Sequence, residues 1–327
     1  MSEPWTIGKV ASWATDDFRT RGLESPRLEA ELLLGHVLNI DRIRILLDRE
    51  RPLSAEELAR YKALIVRRRT HEPVAYLRGE REFYGRVFRV DNRVLIPRPD
   101  TETLVEIALE RTRDRSLYAR VLDLCTGSGC VAITLAKERP TFRLTATDLS
   151  AGALVVAKDN AHRLGAHGNL AFAHGNLFDA VPGIPPLDLI VGNPPYIPDG
   201  DLAGLDPDVR DHEPHVALAG GLDGLDLVRR IVSGAPQRLR SGGVLALEVM
   251  MGQSDEVEAL FRAEGFFDVV ARKDYGGIPR VISGIRPLSA GGGGGGRGRS
   301  SAAGAATLAD EAVSRRPVGV AAVLAVR

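Results

Sequence analysis

Residues 121–129 read Val-Leu-Asp-Leu-Cys-Thr-Gly-Ser-Gly, and they decide the fold class of this 327-residue chain. The apolar run up to Cys125 predicts a buried strand, and the glycines allow a sharp turn into a helix that begins at Cys130. Asp148 ends the next predicted strand, about 20 residues further on, where an acid can accept hydrogen bonds from ribose hydroxyls. This order predicts a site for an adenosine-containing cofactor.

Strands and helices alternate around this turn, from about residue 119 to residue 286. The rhythm predicts an α/β fold with a mostly parallel sheet and helices on both faces. The predicted strands are 121–125, 143–147, 170–173, 187–191, 244–249, 267–272 and 280–285. The predicted helices are 130–137, 151–164, 225–239 and 254–264.

The first 80 residues show helical spacing without strand alternation. Ser25 should cap a helix that starts at Pro26, and Ser54 with Glu57 should form a capping box. We therefore expect a small helical bundle over 1–80.

The segments on either side of the α/β region differ from it in composition. Residues 83–97 are rich in β-formers broken by turn residues, which predicts a hairpin, and Asp100 or Thr101 should cap the helix that follows. We assign 81–100 to a hairpin linker and 101–286 to the α/β domain. The glycine run 291–296 predicts a flexible, disordered tail over 287–327.

Bulk properties exclude several classes of protein. Formal net charge is zero, which argues against nucleic acid as the main partner, because duplex binding usually needs a basic excess. The two cysteines, Cys125 and Cys130, cannot build a disulfide framework or a zinc site alone. The histidines form no close metal-binding pair, and no apolar run is long enough to span a membrane. We expect a cytoplasmic enzyme without a metal.

The charge around the glycine turn favours one cofactor class. Nicotinamide enzymes use a related turn, but they place a pyrophosphate at the helix N-terminus. Here the carboxylate of Asp123 stands just before the loop, which suits a cation better. S-adenosyl-L-methionine carries an ammonium and a sulfonium, so we predict that it is the cofactor.

Asn193-Pro194-Pro195-Tyr196 follows the predicted strand 187–191 and should lie beside the cofactor turn. An amide or aromatic amino nitrogen is a poor nucleophile because its lone pair is delocalised. Two acceptors must therefore take hydrogen bonds from its N–H groups and hold the lone pair toward the methyl group. The Asn193 carboxamide oxygen and the Pro194 carbonyl can do so, with the prolines fixing the backbone, and Tyr196 can supply a flat wall. The tetrapeptide is typical of enzymes that methylate adenine N6, guanine N2 or glutamine.

Further segments resemble the release factor glutamine methyltransferases, the PrmC/HemK family. The segments that carry the likeness are 73–79, 81–85, 95–102, 193–196, 210–214 and 272–276. The resemblance implies a substrate-recognition role for the N-terminal bundle and a seven-stranded, Rossmann-like class I methyltransferase sheet whose last strand is antiparallel. It also implies transfer to the N5 nitrogen of the glutamine in the Gly-Gly-Gln motif of class I peptide chain release factors. We expect a monomer.

The resemblance also assigns roles to individual residues. Catalysis is expected of Asn193, Pro194 and Tyr196, and substrate binding of Asn193, Pro194, Pro195 and Tyr196. Cofactor binding is expected of Cys125, Thr126, Gly127, Ser128, Gly129, Asp148, Asn176, Leu177 and Asn193, with 175–178 along the adenine.

The sequence departs from the family pattern at three positions. Cys125 stands where glycine is usual, Asn176 where aspartate is common, and Met250 in a stretch that usually carries a glycine. Glu213 and Glu248 could lie near the pocket, and the default interpretation of both is a surface carboxylate. The alternatives are a glutamine methyltransferase of a ribosomal protein and an adenine-N6 or guanine-N2 methyltransferase. A non-catalytic adenosine-binding module is disfavoured by the intact 193–196 segment.

Overall fold

The computed structural model describes residues 4–113 and 118–287. The predicted tail lies, from residue 288 onward, outside the described residues. No helix in the two described ranges is long and apolar enough to cross a membrane.

The N-terminal part of the described chain is helical. Its helices are α1 (Ile7–Thr20), α2 (Pro26–Leu38), α3 (Arg42–Leu47), α4 (Ala55–Arg68) and α5 (Val74–Arg78). Their apolar faces enclose a core that includes Phe18, Leu34 and Ile65. Amphipathic helices of this length depend on such packing, because short helices are marginal in water.

Two predicted caps in this bundle have different outcomes. The capping box is confirmed, since the Ser54 side chain accepts from the Glu57 N–H and the Glu57 carboxylate accepts from the Ser54 N–H. The predicted Ser25 cap is wrong, because its side chain accepts no capping hydrogen bond. At ψ of 59°, Ser25 lies outside the extended conformation that points a capping hydroxyl at the first turn.

A hairpin follows the bundle, formed by β1 (Glu80–Phe83) and β2 (Arg86–Arg89). Its turn residues Tyr84 and Gly85 both have positive φ, which matches the twist of paired strands. Buried Phe83 and Phe88 fix the hairpin to the core of the α/β region.

The remaining strands form a seven-stranded sheet within residues 118–287, so the predicted fold class is confirmed. The strands are β3 (Arg120–Leu124), β4 (Arg143–Asp148), β5 (Leu170–His174), β6 (Leu187–Gly192), β7 (Leu239–Glu248), β8 (Phe267–Lys273) and β9 (Pro279–Ile285). Their order is β5-β4-β3-β6-β7-β9-β8, and β9 is antiparallel to both of its neighbours. The expected antiparallel last strand is confirmed.

Helices cover both faces of the sheet. They are α6 (Glu102–Arg111), α7 (Cys130–Glu138), α8 (Ala151–Arg163), α10 (Asp226–Arg238) and α11 (Ser254–Ala263), and the short helix α9 (Pro207–Arg210) lies in the segment that follows β6. Val121 of β3 joins the core shared with α6 and α7, whereas Leu122 and Leu124 join the core shared with α10 and α11. A parallel strand buried on both faces needs such a continuous apolar sequence.

Strand β7 begins five residues earlier than the predicted strand 244–249. The segment Arg240–Gly243 reads as a turn, yet Leu239 pairs with Leu187 before the register shifts at Leu189. The Gly242 N–H also donates to the Arg286 carbonyl. Pairing with neighbouring strands therefore overrides the local turn preference.

One buried arginine joins the bundle to the α/β region. The Arg68 side chain is 3% exposed, and it donates to Glu29 of α2 and to Asp208 of α9. His71 Nδ1 lies 3.2 Å from the same Asp208 carboxylate, and His212 Nε2 lies 2.8 Å from the Thr70 carbonyl. Two histidines therefore take structural positions at this junction.

The turn from β3 into α7 uses left-handed backbone at three positions. Cys125, Gly127 and Gly129 have φ of 57°, 56° and 81°. A Cβ on Gly129 would lie 2.8 Å from the Ile133 Cδ1 and 3.2 Å from the Ala157 Cβ. Gly129 is thus required by both conformation and space, whereas Cys125 holds an L side chain in a region that favours glycine.

Substitution of Cys125 tests this strain. We expect Cys125→Val to lower the free energy of unfolding by about 1–2 kcal/mol relative to Cys125→Gly, because a β-branched residue tolerates left-handed φ worst. Urea unfolding followed by circular dichroism measures both variants. Equal midpoints for valine and glycine would show that position 125 is not under backbone strain.

Candidate functional site

Four loops meet at the carboxyl edge of the parallel strands. They follow β3, β4, β5 and β6, and they bring together Cys125, Asp148, Asn176 and Pro195 around a cavity of about 250 Å³. Its other walls are largely apolar and include Leu149, Ala153 and Leu177 from the described residues. Ligands of open α/β sheets bind at this edge.

The carboxylate of Asp148 is fixed by backbone donors on two loops. Its Oδ2 accepts from the Gly127 N–H at 2.8 Å, and its Oδ1 accepts from the Ser150 N–H at 2.8 Å. Each oxygen keeps lone pairs for a ligand in the cavity. Burial raises the pKa of Asp148, and the two backbone donors counteract that effect.

The glycine turn also lines a second, smaller cavity of about 40 Å³. It shares Leu95, Cys125 and Gly127 with the larger one, and Asp123 and Asn193 also line it. The Asp123 carboxylate accepts from the Thr126 hydroxyl at 2.5 Å. Burial raises the pKa of Asp123 to about 7. Asn193 therefore faces the same space as the turn that follows β3.

The Thr101 side chain binds Asn193 and does not cap the helix that follows it. It occupies the N-cap position of α6, but its side chain makes no capping bond, and the segment 99–101 is a 3-10 turn. Its Oγ1 instead accepts from the Asn193 Nδ2 at 3.3 Å. The predicted capping role of Thr101 is wrong, because the helical φ of −65° and ψ of −18° at Thr101 are not those of a capping residue.

Glu213 and Glu248 are not surface carboxylates, so that interpretation is wrong. They are 6% and 1% exposed. Glu213 pairs with Arg98 and accepts from the Ile96 N–H at 3.1 Å, which compensates its burial. Glu248 ends β7 and accepts from the Tyr196 hydroxyl at 3.2 Å.

The backbone carbonyl of Tyr196 is bound by Gln253 and packs closely against Gly224. Gln253 Nε2 donates to the Tyr196 carbonyl, and Gln253 Oε1 accepts from the Met250 N–H, each at 3.0 Å. A Cβ on Gly224 would lie 2.2 Å from that same carbonyl oxygen. The loop around Met250, where the sequence departs from the family pattern, thus supports the tetrapeptide.

The structure distributes the predicted site residues unevenly. The larger cavity is lined by Cys125, Gly127, Asp148, Asn176, Leu177 and Pro195, and the smaller one by Cys125, Thr126, Gly127, Ser128 and Asn193. Gly129, Pro194 and Tyr196 line neither of these two cavities. Gly129 acts through the turn, and the Tyr196 hydroxyl points to Glu248.

Several residues at these cavities were missed in the predicted site. Arg98 and Thr101 lie in the segment 95–102, which was used only as evidence of the family resemblance. Arg230 lies on α10, far from the predicted motifs in sequence. Glu248 lines neither cavity, but its burial had a signal in the sequence, since it ends an apolar strand of a sheet that is covered on both faces.

The chain matches known families over most of the described residues. Residues 9–79 match the PrmC N-terminal domain, and residues 100–203 match the methyltransferase small domain. The release factor glutamine methyltransferase of Geobacter sulfurreducens is 44% identical over 282 residues, which cover 86% of this chain and 97% of that protein. The chain belongs to the release factor glutamine methyltransferase family. The predicted resemblance is confirmed.

Two further relatives cover most of this chain. The Chlorobaculum tepidum protein is 42% identical over 288 residues, which cover 85% of this chain and 97% of the relative. A solved protein-(glutamine-N5) methyltransferase (release factor-specific) from Alicyclobacillus acidocaldarius is 35% identical. The match covers 61% of this chain and 99% of that one, with a TM-score of 0.38.

Removal of the Asp148 carboxylate tests its role in the larger cavity. We expect Asp148→Ala to weaken S-adenosyl-L-methionine binding by about tenfold or more, because hydrogen bonds to a charged group contribute roughly 1.5–3 kcal/mol. Calorimetric titration measures the affinity. Turnover at saturating cofactor should change less than the affinity, and unchanged affinity would remove Asp148 from the site.

Proposed function

We propose that this protein transfers a methyl group from S-adenosyl-L-methionine to the N5 amide nitrogen of the glutamine in the Gly-Gly-Gln motif of class I release factors. One observation supports the proposal above the others. Asn193, the acceptor of the Asn193–Tyr196 motif, lines a cavity together with the glycine turn at 125–128. The relatives' shared activity agrees with this placement.

The residues of the larger cavity fit the cofactor. Asp148 offers two carboxylate oxygens to a ribose, and Leu149 and Leu177 offer apolar surface to an adenine. Asp123 and Asp148 place two carboxylates at the turn, where the cavities are also lined by Arg93, Arg98 and Arg230, and these carboxylates suit the ammonium and sulfonium charges. When bound, the cofactor supplies an electrophilic methyl group.

The tetrapeptide fits an amide substrate. An amide nitrogen has little nucleophilicity, so its rate depends on being held in line with the methyl group. Asn193 has its Nδ2 engaged by Thr101, which leaves its Oδ1 to accept from a substrate N–H. The Pro194 carbonyl is proposed as the second acceptor. The assignment of Tyr196 as a wall for the substrate amide remains a proposal.

We also propose that the N-terminal helical bundle recognises the release factor away from the glutamine. The net charge of zero suits a protein substrate better than a nucleic acid. A cytoplasmic location follows from a substrate that works in translation.

The Asn193 carboxamide gives the direct test. We expect Asn193→Ala to lower methylation of a purified release factor by about ten- to a hundredfold, because one oriented acceptor contributes roughly 1–3 kcal/mol. Radiolabelled cofactor and mass spectrometry of the product measure the rate and locate the methyl group.

Asn169→Ala is a matched control, since the Asn169 carboxamide donates to the backbone of Ala136, Pro140 and Phe142 before β5 and should not affect turnover. A release factor without the glutamine should remain unlabelled. Label found instead in a ribosomal protein or in DNA would contradict the proposed substrate.

A further inference from the structure

The amino edge of the parallel strands carries a cavity that has no role in the function proposed so far. Its volume is about 700 Å³. It is lined by the first residues of β3 and β4 and by the segments that lead into β5 and β6. The two cavities of the methyl-transfer site lie at the opposite, carboxyl edge of the same strands. A cavity of this size can hold a small organic ligand.

An incomplete cover on one face of the sheet explains this cavity. The face is the one that packs against α10 and α11. Between β5 and β6 the chain, which is fully described there, forms only one short 3-10 helix, Leu177–Ala180. Thr145 of β4 and Ala171 of β5 are register partners that line the cavity. Their neighbours Leu144 and Leu170 belong to the core on the opposite face, so the small side chains form the floor of the cavity.

Two arginines begin adjacent strands at the rim of this cavity. Arg120 of β3 and Arg143 of β4 are direct partners in the parallel register. Residues paired in this way project from the same face of a sheet, so their side chains are neighbours. Both arginines are exposed and both line the cavity. Like charges on paired residues of neighbouring strands repel each other, which destabilises the sheet.

No carboxylate within residues 4–113 and 118–287 neutralises this pair. Neither guanidinium takes part in a hydrogen bond or an ion pair with these residues. On the other side of Arg120, the carboxylate of Asp188 in β6 binds the Arg240 guanidinium and the Arg120 N–H. Among the described residues that line the cavity there is no aspartate or glutamate. The rim therefore holds two positive charges without a balancing negative charge.

We propose that this cavity is a second binding site, which takes a phosphorylated small molecule of about nucleotide size. A phosphate group accepts charge-assisted hydrogen bonds from two arginines at once, and its negative charge removes their repulsion. The organic part of the ligand lies over Thr145 and Ala171 and against the apolar wall formed by Ile184 and Pro185. This inference goes beyond the proposed function and does not depend on it.

Uridine monophosphate is a suitable probe, because it carries a phosphate but not the adenine that is expected in the larger cavity. Calorimetric titration of the full chain should show saturable binding of this nucleotide and none of neutral uridine. We expect Arg120→Gln and Arg143→Gln each to weaken the affinity about tenfold or more, since each removes charge-assisted hydrogen bonds to the phosphate. Arg60→Gln is the matched control, because it removes an exposed arginine of α4 and should bind as the wild type does.

Thermal unfolding separates a binding role of the two arginines from a structural one. In low-salt buffer without phosphate, Arg143→Gln should unfold at the wild-type Tm or above it, because the substitution removes a like-charge contact. Added phosphate should raise the Tm of the wild type more than that of Arg120→Gln or Arg143→Gln, since a ligand stabilises the state that binds it. A Tm of Arg143→Gln below that of the wild type without phosphate would overturn the argument for an anion site.

A short oligouridylate distinguishes a free nucleotide from an RNA chain as the source of the phosphate. Affinity similar to that of the monophosphate supports a small-molecule ligand. Much tighter binding, with a steeper loss of affinity as salt increases, would replace the small molecule by RNA. Absence of monophosphate binding to the wild type, or equal binding to both arginine variants, would overturn the proposal. Failure of the wild type to methylate a release factor would contradict the proposed function and leave this site unaffected.

Discussion

The hydrogen bond from the Gly127 N–H to the Asp148 carboxylate makes two loops into one structure. It joins the turn after β3 to the end of β4, while the Thr126 N–H donates to the Thr147 carbonyl beside it. The larger cavity depends on this connection, because it is lined both by the turn and by Asp148, the residue that binds the turn. The left-handed residues that precede α7 are tolerated because these bonds determine their conformation.

The tetrapeptide after β6 depends on support of a different kind. Its first residue is held by Thr101 from the segment before α6, and its last residue is held by Glu248 and Gln253 from the end of β7 onward. Glu213 and Arg98 connect the following segment to residues 96–98. Groups from distant parts of the chain thus converge on four residues, and such convergence is what their proposed role of holding a substrate amide requires.

The sequence was sufficient for those features that depend on local pattern. Apolar strands, glycine turns and the Ser54–Glu57 capping box have short-range signals, and the structure contains them. The features that could not be predicted depend on tertiary partners. From the sequence alone Thr101 is predicted to cap a helix, and its contact with Asn193 is visible only in the fold. Glu248 is likewise predicted to be solvated, because its burial depends on the neighbouring strands β6 and β9. The early start of β7 likewise results from pairing with Leu187 across the sheet.

The ion pairs of Arg68 affect how the helical bundle is held relative to α9. Its guanidinium pairs with Glu29 inside the helical bundle and with Asp208 of α9, so separation of the bundle from α9 breaks the Arg68–Asp208 ion pair. This ion pair therefore links the bundle to the segment that follows the tetrapeptide. Under the proposed function, a release factor that contacts the bundle and the tetrapeptide together would meet them at a separation that this ion pair helps to hold.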